Sequence, residues 1–292
     1  MVTYVVFSIT FKTPNINRPV VAYFEECGED LKYLYCSLLR KAEKSIFISS
    51  FGLTDEDIIK ILSQKKREGV IVTLHNSKKE KALRKKTSGL YHKKILIIDE
   101  KEMYIGTANC SKTSLTFHGN QIFGFNNPLF IQAVLNNTSY RDDFLTYYLL
   151  PKDRAFAFDD LLTRIKNAKE HIYITMYALS HAEIINEIIN AKNRGLKVCV
   201  FLDNGMTKGS CQKMVTKLAS SGVEIRVRIK SGLNHHKAAL IDNAYVFGSL
   251  NWSKSGFTRN EETLVILPNI SPELSKKVLQ FIFCLKYYSK KF

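Results

Sequence analysis

His92-Lys-Lys-Ile-Leu-Ile-Ile-Asp99 and, in the second half of the chain, His235-His-Lys-Ala-Ala-Leu-Ile-Asp242 share the pattern H-x-K-x4-D. Each copy is followed by a Gly-x-x-Asn-x-Ser sequence, which begins at Gly106 after the first copy and at Gly248 after the second. A pattern of three fixed residues arises once by chance in roughly a few per cent of chains of this length. Two copies with matching sequels therefore indicate an internal duplication.

The duplication extends well beyond the two motifs. The stretch Ala42-Glu-Lys-Ser-Ile-Phe-Ile aligns with Ala168-Lys-Glu-His-Ile-Tyr-Ile, and Gly69 aligns with Gly195 at the same offset. Each half is predicted as helix, strand, helix, strand, an alternation typical of α/β layers. We expect two duplicated α/β units, residues 1–145 and 146–292, each a mixed sheet flanked by helices. Pairing about a pseudo-twofold axis would bring the motifs together.

Local signals predict the elements of the second unit. A helix is expected to open at Asp159 and run through Ala168, because acidic residues favour a helix N-terminus. The other expected elements are strands at 171–177, 196–202 and 223–229, a helix at 211–220, and a linker at 140–152 that contains Pro151. In the first unit, residues 2–11 are predicted as a strand, and a basic stretch, Lys78 to Lys86, replaces the additional helix and strand.

Composition limits the class of protein. The chain has 292 residues, 45% of them hydrophobic, and a formal net charge of +16. The apolar fraction is enough for a full core, and the charge predicts an anionic partner, either an anionic membrane surface or nucleic acid. The six cysteines include no C-x-x-C pair, which favours buried free thiols over disulfides or a zinc site. No apolar run is long enough to span a membrane, so a soluble or peripheral protein is expected, with export left open.

In each motif the histidine and lysine lie two residues apart, and apolar, β-prone residues follow them. Side chains at positions i and i+2 of a strand point to the same face. We therefore expect His92 to project beside Lys94, and His235 beside Lys237. His236 lies between the latter two and should face away from the site.

These residue types suit the cleavage of a phosphodiester, whose own charge repels nucleophiles. Lys94 and Lys237, together with the amides of Asn109 and Asn251, are expected to bind the non-bridging oxygens. One neutral imidazole then attacks phosphorus, while the other, protonated, donates its proton to the departing alcohol and afterwards activates water. Because the lysines supply the positive charge, the pattern predicts neither a metal nor another cofactor.

The residues downstream of each motif suggest which histidine does which task. We expect Glu262 to contact the ring nitrogen of His235 that faces away from substrate, and Gln121 to contact that of His92. A carboxylate favours the imidazolium form, so this pairing makes His235 the acid and His92 the nucleophile. His118 precedes this region; a surface-loop position is favoured for it, with an approach to the site as the alternative.

The other motif residues are given supporting parts. Asp99 and Asp242 are expected to hold a turn or neighbouring backbone. The remaining predictions are close strand approach at Gly106 and Gly248, and a contribution to phosphate binding from Ser111 and Ser253.

On these residues the chain resembles the phospholipase D superfamily, with both motifs in one polypeptide. The resemblance covers roughly residues 30–268, and residues 235–262 are similar to the branch of compact nucleases and mitochondrial cardiolipin hydrolases. It implies a metal-independent phosphohistidine mechanism with the first-motif histidine as nucleophile. Members of that branch carry one motif and dimerise, which implies a monomer with an internal pseudo-dimer here. The first half departs from the pattern, since Gln121 replaces the usual acid and Cys110 stands where Trp252 sits.

Several functions remain open on these grounds. The favoured one is hydrolysis of phospholipid phosphodiester bonds. The alternatives are an endonuclease acting on single-stranded DNA or RNA, a phosphatidyl transferase, and a non-catalytic module that binds anions. A lipid enzyme should expose apolar side chains around its pocket, whereas a nuclease should present a basic groove.

Overall fold

The structure, a computed structural model, describes residues 11–76 and 89–292. Its strands are β1 (Val20–Phe24), β2 (Ser45–Ser50), β3 (Ile71–Asn76), β4 (Lys94–Ile98), β5 (Glu102–Gly106), β6 (Gln121–Phe125), β7 (Tyr140–Arg141), β8 (Thr146–Leu150), β9 (His171–Met176), β10 (Lys197–Leu202), β11 (Glu224–Arg228), β12 (Lys237–Ile241), β13 (Ala244–Gly248), β14 (Glu262–Leu267) and β15 (Ser289–Lys291).

The α-helices of this part of the chain are α1 (Leu31–Lys41), α2 (Glu56–Arg67), α3 (Lys112–Thr116), α4 (Pro128–Leu135), α5 (Arg154–Asn167), α6 (Ala182–Asn193), α7 (Asn204–Lys208), α8 (Gln212–Ser220), α9 (Lys254–Thr258) and α10 (Pro272–Tyr287). A 3-10 helix, Glu25–Cys27, follows β1.

The described strands form two mixed sheets, so the fold is α/β with helices flanking both sheets. One sheet has the order β1-β6-β5-β4-β2-β3, and the other has the order β15-β11-β10-β9-β12-β13-β14-β8-β7. In the first, β2 pairs in parallel with β3 and antiparallel with β4. In the second, β9 pairs in parallel with β10 and antiparallel with β12. The motif strands β4 and β12 therefore occupy equivalent central places.

The duplication predicted from the sequence is present in the fold. The succession β1-α1-β2-α2-β3 of the first half returns as β8-α5-β9-α6-β10 in the second. Each succession leads to a motif strand, a hairpin partner, a five-residue helix and a further strand. We propose the division near residue 145 on this basis, since β8, the counterpart of β1, begins at Thr146.

The two sheets face each other across a shared core. Phe123 from β6 and Phe247 from β13 stack with ring centroids 4.0 Å apart, and Ile95 and Leu240 of the motif strands lie in the same cluster. Every residue of β4 and β12 is buried, because one face packs on this core and the other on helices or the site. Each fully buried large apolar side chain stabilises the fold by about 1.5–3 kcal/mol, so the motif strands are held rigidly.

Two of the predicted secondary-structure boundaries are wrong. The expected linker at 140–152 contains β7 and β8, because the buried residues from Tyr147 to Leu150 pair with β14. The helix expected to open at Asp159 begins at Arg154, so that Asp159 and Asp160 lie inside it. The other predicted elements of the second half agree with the structure to within about one residue.

The cysteines and the helices bear on the remaining predictions. All six cysteines are free; four are buried, and Cys27 and Cys284 are partly buried. Across residues 11–76 and 89–292, every helix is too short or too polar to cross a bilayer. Most of the predicted strand at 2–11 and the whole basic stretch Lys78 to Lys86 lie outside the described residues.

Candidate active site

The two motifs meet where the halves exchange backbone hydrogen bonds. The N–H of His92 donates to the carbonyl of Glu261 in the other half, at 2.9 Å. The N–H of His235 donates to the carbonyl of Gly119, also at 2.9 Å. His92 is thus held by the residue just before β14, and His235 by the loop just before β6, in each case from the opposite half. These reciprocal contacts bring the two motifs to one site.

The ring of His92 is held by a carboxylate from the other half of the chain. Its Nδ1 lies 2.9 Å and 2.8 Å from the two carboxylate oxygens of Glu262. Because a carboxylate only accepts, Nδ1 carries the hydrogen, and Nε2 keeps its lone pair. Glu262 is itself fixed by donation from Ser249 Oγ at 2.5 Å and from Asn260 Nδ2 at 3.1 Å.

The ring of His235 is held by a neutral amide. Its Nδ1 lies 3.1 Å from Oδ1 of Asn120, which also accepts from Oγ1 of Thr107 at 2.8 Å. The Nδ2 of Asn120 donates to the carbonyl of Ser114 at 2.7 Å, which fixes the amide with its oxygen toward His235. In the neutral ring of His235, Nδ1 therefore carries the hydrogen and Nε2 keeps its lone pair, as in His92. Unlike His92, His235 has no anionic partner at Nδ1.

The pairing predicted from the sequence is wrong on both sides. Glu262 contacts His92 and not His235, and Gln121 contacts neither ring, because its Oε1 accepts from the hydroxyl of Tyr245 at 2.7 Å. Alternation along β6 explains this, since Asn120 and Gln121 face opposite ways. Asn120 is the true counterpart of Glu262: both lie one residue after the carbonyl that holds the opposite histidine.

Burial and neighbouring positive charges lower the pKa values of both histidines. Burial lowers the pKa of His92 below its ordinary value, Lys94 lowers it further, and Glu262 opposes both. Burial also lowers the pKa of His235, well below its ordinary value, with Lys237, Lys94 and His92 acting in the same direction. These mutual effects are those expected of side chains that share one small volume.

The two lysines lie deep in the site and contact their own motifs. Lys94 Nζ donates to the carbonyl of His92 at 2.6 Å, and Lys237 Nζ to that of His235 at 2.7 Å. Burial lowers the pKa of Lys94 to about 7, and it lowers the pKa of Lys237 well below its ordinary value. An anion that binds beside the two lysines therefore raises their pKa values and stabilises their charged forms.

An aromatic ring flanks each histidine, a feature that sequence reasoning missed. The ring of Phe51 lies edge-on to His92 at 5.5 Å, and Tyr177 lies 5.4 Å from His235. The same rings lie within 5.7 Å of Lys94 Nζ and 5.1 Å of Lys237 Nζ, respectively. Both residues directly follow the strand next to the motif strand. They are therefore equivalent positions of the repeat, and aligning the two halves could have found them.

The motif asparagines have unused hydrogen-bonding capacity. The Oδ1 atoms of Asn109 and Asn251 are buried and make no hydrogen bond to the residues that the structure describes. Their part in binding phosphate oxygens stays a prediction. Ser111 and Ser253 instead accept backbone N–H groups at the first turns of α3 and α9, so a part in binding substrate is a prediction for these hydroxyls too.

The aspartates and glycines of the motifs act on the backbone. Asp99 accepts three N–H groups from residues 43–45, and Asp242 accepts three from residues 169–171. A Cβ at Gly106 would lie 2.2 Å from the carbonyl oxygen of Gln121, and one at Gly248 would lie 2.2 Å from that of Thr263. Only glycine permits these close approaches.

Two further histidines lie around His235. His236 faces away from the site, as predicted, and its Nε2 contacts the carboxylate of Glu26. His118 is not the surface residue expected, because its ring is partly buried with its centroid 6.0 Å from that of His235. Within residues 11–76 and 89–292, no group of three or more His, Cys, Asp or Glu side chains is arranged to hold a metal ion.

Two mixed sheets that each carry a His–Lys pair to a common site define a protein of the phospholipase D superfamily. The chain matches the family model described as "Cardiolipin synthase, PLD-like domain" over residues 35–140 and 161–282. It therefore belongs to this family.

Relatives of known name are similar to part of the chain. A phospholipase D of Rickettsia prowazekii is 30% identical over 127 residues, which are 43% of this chain and 60% of that protein. A mitochondrial cardiolipin hydrolase of Xenopus laevis is 30% identical over 111 residues, 38% of this chain and 52% of that protein. The chain thus spans between half and two thirds of the length of these relatives.

A solved structure matches nearly the whole fold. The phosphatidylserine synthase of Haemophilus influenzae aligns with a TM-score of 0.71, covering 94% of this chain and 87% of its own. At 10% sequence identity this likeness shows the two-unit fold alone.

Proposed function

We propose that this protein is a metal-independent phosphodiesterase that hydrolyses phospholipids through a phosphohistidine on His92. One observation carries the proposal: His92 and His235, each with a free Nε2 side and a buried lysine, converge from the two halves. A site for binding anions alone needs the lysines, but it does not need two oriented imidazoles. The family match and the names of the relatives support the same class of reaction.

The orienting partners assign the two histidines. Glu262 holds Nδ1–H of His92, so Nε2 points its lone pair at phosphorus and the carboxylate balances the charge of the phosphoimidazolium that forms. The assignment of His92 as nucleophile is the one predicted from the sequence, but the reason is reversed, because the carboxylate sits behind the nucleophile. His235 then donates its Nε2 proton to the departing alkoxide oxygen.

The second half of the cycle reverses the part of His235. Neutral after the first step, it takes a proton from water as the water oxygen bonds to phosphorus. The bond between phosphorus and His92 Nε2 breaks, and its electron pair returns to the imidazole. The products are the alcohol and a phosphomonoester, and His235 is again protonated.

Lys94 and Lys237 become better phosphate ligands once a phosphodiester is bound beside them. Their pKa values are low because both amines are buried. A bound phosphate anion raises them, so the lysines become charged when there is an anion to stabilise. The pentavalent transition state carries more negative charge than the diester and gains most from this arrangement.

Exposed apolar side chains near the site favour a phospholipid as substrate. Leu90, Phe117 and Ile229 are 44%, 50% and 59% exposed. The carbonyl of Leu90 accepts from Glu261, next to Glu262, and Phe117 precedes His118. Ile229 follows Arg228, which donates to the carbonyl of Phe117. Apolar side chains at the rim of a cationic protein suit contact with an anionic membrane surface.

An endonuclease acting on single-stranded DNA or RNA is the second candidate. The formal net charge of +16 favours it, because a nucleic acid offers many phosphates to neutralise. The chemistry at His92 and His235 would be the same. A phosphatidyl transferase differs only in the second nucleophile, an alcohol in place of water.

The test is a parallel assay with chelator present throughout. Vesicles of cardiolipin or phosphatidylglycerol and a labelled single-stranded DNA are incubated with wild type, His92→Asn and His235→Asn. We expect head-group release from vesicles by wild type only, with DNA cleaved far more slowly. A phosphatidyl-alcohol formed on addition of a primary alcohol would identify a transferase, and DNA cleavage without lipid cleavage would refute the lipid proposal.

A further inference from the structure

His118 is held at a fixed place beside His235 by backbone contacts. Its N–H donates to the carbonyl of Thr113 at 3.2 Å, and its own carbonyl accepts from Asn120 Nδ2 at 3.3 Å. The next residue, Gly119, accepts the N–H of His235 at 2.9 Å. The two rings lie 6.0 Å apart between centroids, with an angle of 50° between their planes. This distance suits a single bridging water between ring nitrogens.

The other half of the site has an amide in the matching place. Asn260 precedes Glu262 by two residues, as His118 precedes Asn120. Its Nδ2 donates to Glu262 at 3.1 Å, and its Oδ1 accepts from the N–H of Leu90 at 3.1 Å. The histidine that has a carboxylate behind it thus has only an amide nearby, whereas the histidine without one has a second imidazole.

His235 has to exchange protons with solvent during turnover. Burial and the neighbouring Lys237, Lys94 and His92 lower its pKa well below the ordinary value, which favours the neutral ring when no anion lies beside it. The proposed reaction needs it protonated once the diester is bound. When the anionic product leaves, the neighbouring positive charges lower the pKa of His235 again, and the ring releases its proton. His235 is buried, whereas the neighbouring ring of His118 is only partly buried.

We propose that His118 relays protons between solvent and His235, as a positioning and relay residue that does not touch the phosphorus centre. This inference rests on the proposed function and adds a residue to it. A proton from solvent bonds to one nitrogen of His118 while the other nitrogen gives its proton, through one water, to Nε2 of His235. The His118 ring ends neutral with its tautomer exchanged, and His235 gains the positive charge. After product release the transfer runs backwards.

Burial and the charges around His118 act on its pKa in opposite directions. Burial lowers its pKa below the ordinary value, Asp203 and Glu25 raise it, and Lys237 lowers it. The ring of Tyr177 also lies beside that of His235, with 5.4 Å between the centroids. The two carboxylates favour uptake of a proton by His118, whereas burial and Lys237 favour its release, and a relay needs both steps.

The test compares two leaving groups in the same variants. Phosphatidylglycerol vesicles release an alkoxide that needs a proton, whereas bis(p-nitrophenyl) phosphate releases a stable phenolate that does not. We expect His118→Asn, which installs the amide found at Asn260, to lower kcat on vesicles by about 10- to 100-fold with little change in KM. On the nitrophenyl diester, release of the first nitrophenolate needs no proton, so the rate of this burst should fall by less than about threefold. Imidazole added to the buffer should restore turnover on vesicles.

The controls separate a relay from a structural role. His181 is also partly buried but packs on Phe158 and Phe257, so His181→Asn should keep wild-type turnover on both substrates and show no response to imidazole. His118→Gln, which differs in shape from His118→Asn, should show the same rescue. Equal losses on both substrates without rescue, or wild-type turnover on vesicles, would overturn the relay while leaving the proposed function intact. A wild-type protein that cleaves neither substrate would overturn both.

Discussion

Nδ1 of His92 lies 2.8 Å from a carboxylate oxygen of Glu262, although the two residues belong to different halves of the chain. The equivalent contact in the other direction, from His235 to Asn120, has a neutral acceptor at 3.1 Å. A duplicated site that began symmetric therefore has two electrostatically different histidines. The proposed division of labour between nucleophile and acid follows from this difference.

The carboxylate of Glu262 should be needed for the chemical step more than for substrate binding. Glu262→Gln keeps the size of the side chain but removes its charge and offers a donor to Nδ1, which favours the wrong tautomer of His92. We expect kcat to fall by about 100- to 10,000-fold. Initial rates on a soluble diester measure this. Glu183→Gln, an exposed change on α6, is the control and should keep the wild-type rate. A loss below about threefold in Glu262→Gln would contradict the orienting role.

Asn120→Asp should change the pKa of His235, and the pKa of His92 should not change by the same amount. A carboxylate at the Nδ1 side stabilises the imidazolium, so the pKa of His235 should rise from its depressed position. Two-dimensional NMR of 15N-labelled histidine side chains follows this titration directly. Asn260→Asp, near Glu262, is the matched change on the other side and should leave His235 closer to its wild-type titration. An unaltered His235 titration in Asn120→Asp would show that the contact to Asn120 does not govern its charge.

The pH dependence of kcat/KM should be bell-shaped. On the alkaline side, two groups of the free enzyme lose essential protons: His235, whose pKa lies well below its ordinary value, and Lys94, around its pKa of about 7. A neutral imidazole has no proton for the leaving group and a neutral amine binds a phosphodiester poorly, so kcat/KM should fall as pH rises, and more steeply above the pKa of Lys94. On the acid side, protonation of His92 removes the nucleophile, and its lowered pKa places this loss below the ordinary histidine value of about 6.5. Steady-state rates on a soluble diester at constant ionic strength check both limbs. Activity that still rises from pH 7 to pH 9 would contradict the part given to Lys94.

Lys94→Met should inactivate the protein and stabilise it. The ammonium group of Lys94 is almost fully buried, so replacing it with an apolar side chain of similar size should raise the free energy of unfolding by about 1–4 kcal/mol below pH 7. Above pH 7 the folded state holds Lys94 neutral while the unfolded state still binds the proton, so the wild type gains stability and the difference should narrow. Urea unfolding at several pH values measures the difference. Lys169→Met, at an exposed position, serves as control. Destabilisation by Lys94→Met would mean that the buried lysine has compensating contacts.

Much of the fold could be predicted because the chain repeats itself. The constant offset between Ala42 and Ala168 and between Gly69 and Gly195 located equivalent helices and strands, and both motif strands formed as their spacing predicted. The error at residues 140–152 arose because Pro151 and nearby charges look like a linker. The burial of Tyr147 to Leu150 against β14 is a tertiary contact that local sequence does not reveal.

The direction of a site side chain could be predicted where it follows from alternation along a strand. The contacts between loops of the two halves could be predicted less well. The prediction that pairs Gln121 with Glu262 misses the register, because counting from Gly106 and Gly248 places Asn120 opposite Glu262. Each of these two side chains contacts the histidine of the other half, which depends on how the units pack. The contacts of His118, Phe51 and Tyr177 depend on how the two units pack. Of these, Phe51 and Tyr177 could have been found by extending the repeat beyond β2 and β9.

Covalent trapping on His92 tests the central claim most directly. In His235→Asn, bis(p-nitrophenyl) phosphate can still phosphorylate the nucleophile because its leaving group needs no acid, but water attack lacks its base. Rapid mixing should give a burst of one nitrophenolate per protein, and peptide mapping at alkaline pH should locate the phosphoryl ester on His92. A burst that persists in the double variant His92→Asn/His235→Asn, or a phosphoryl group on any other residue, would contradict the account.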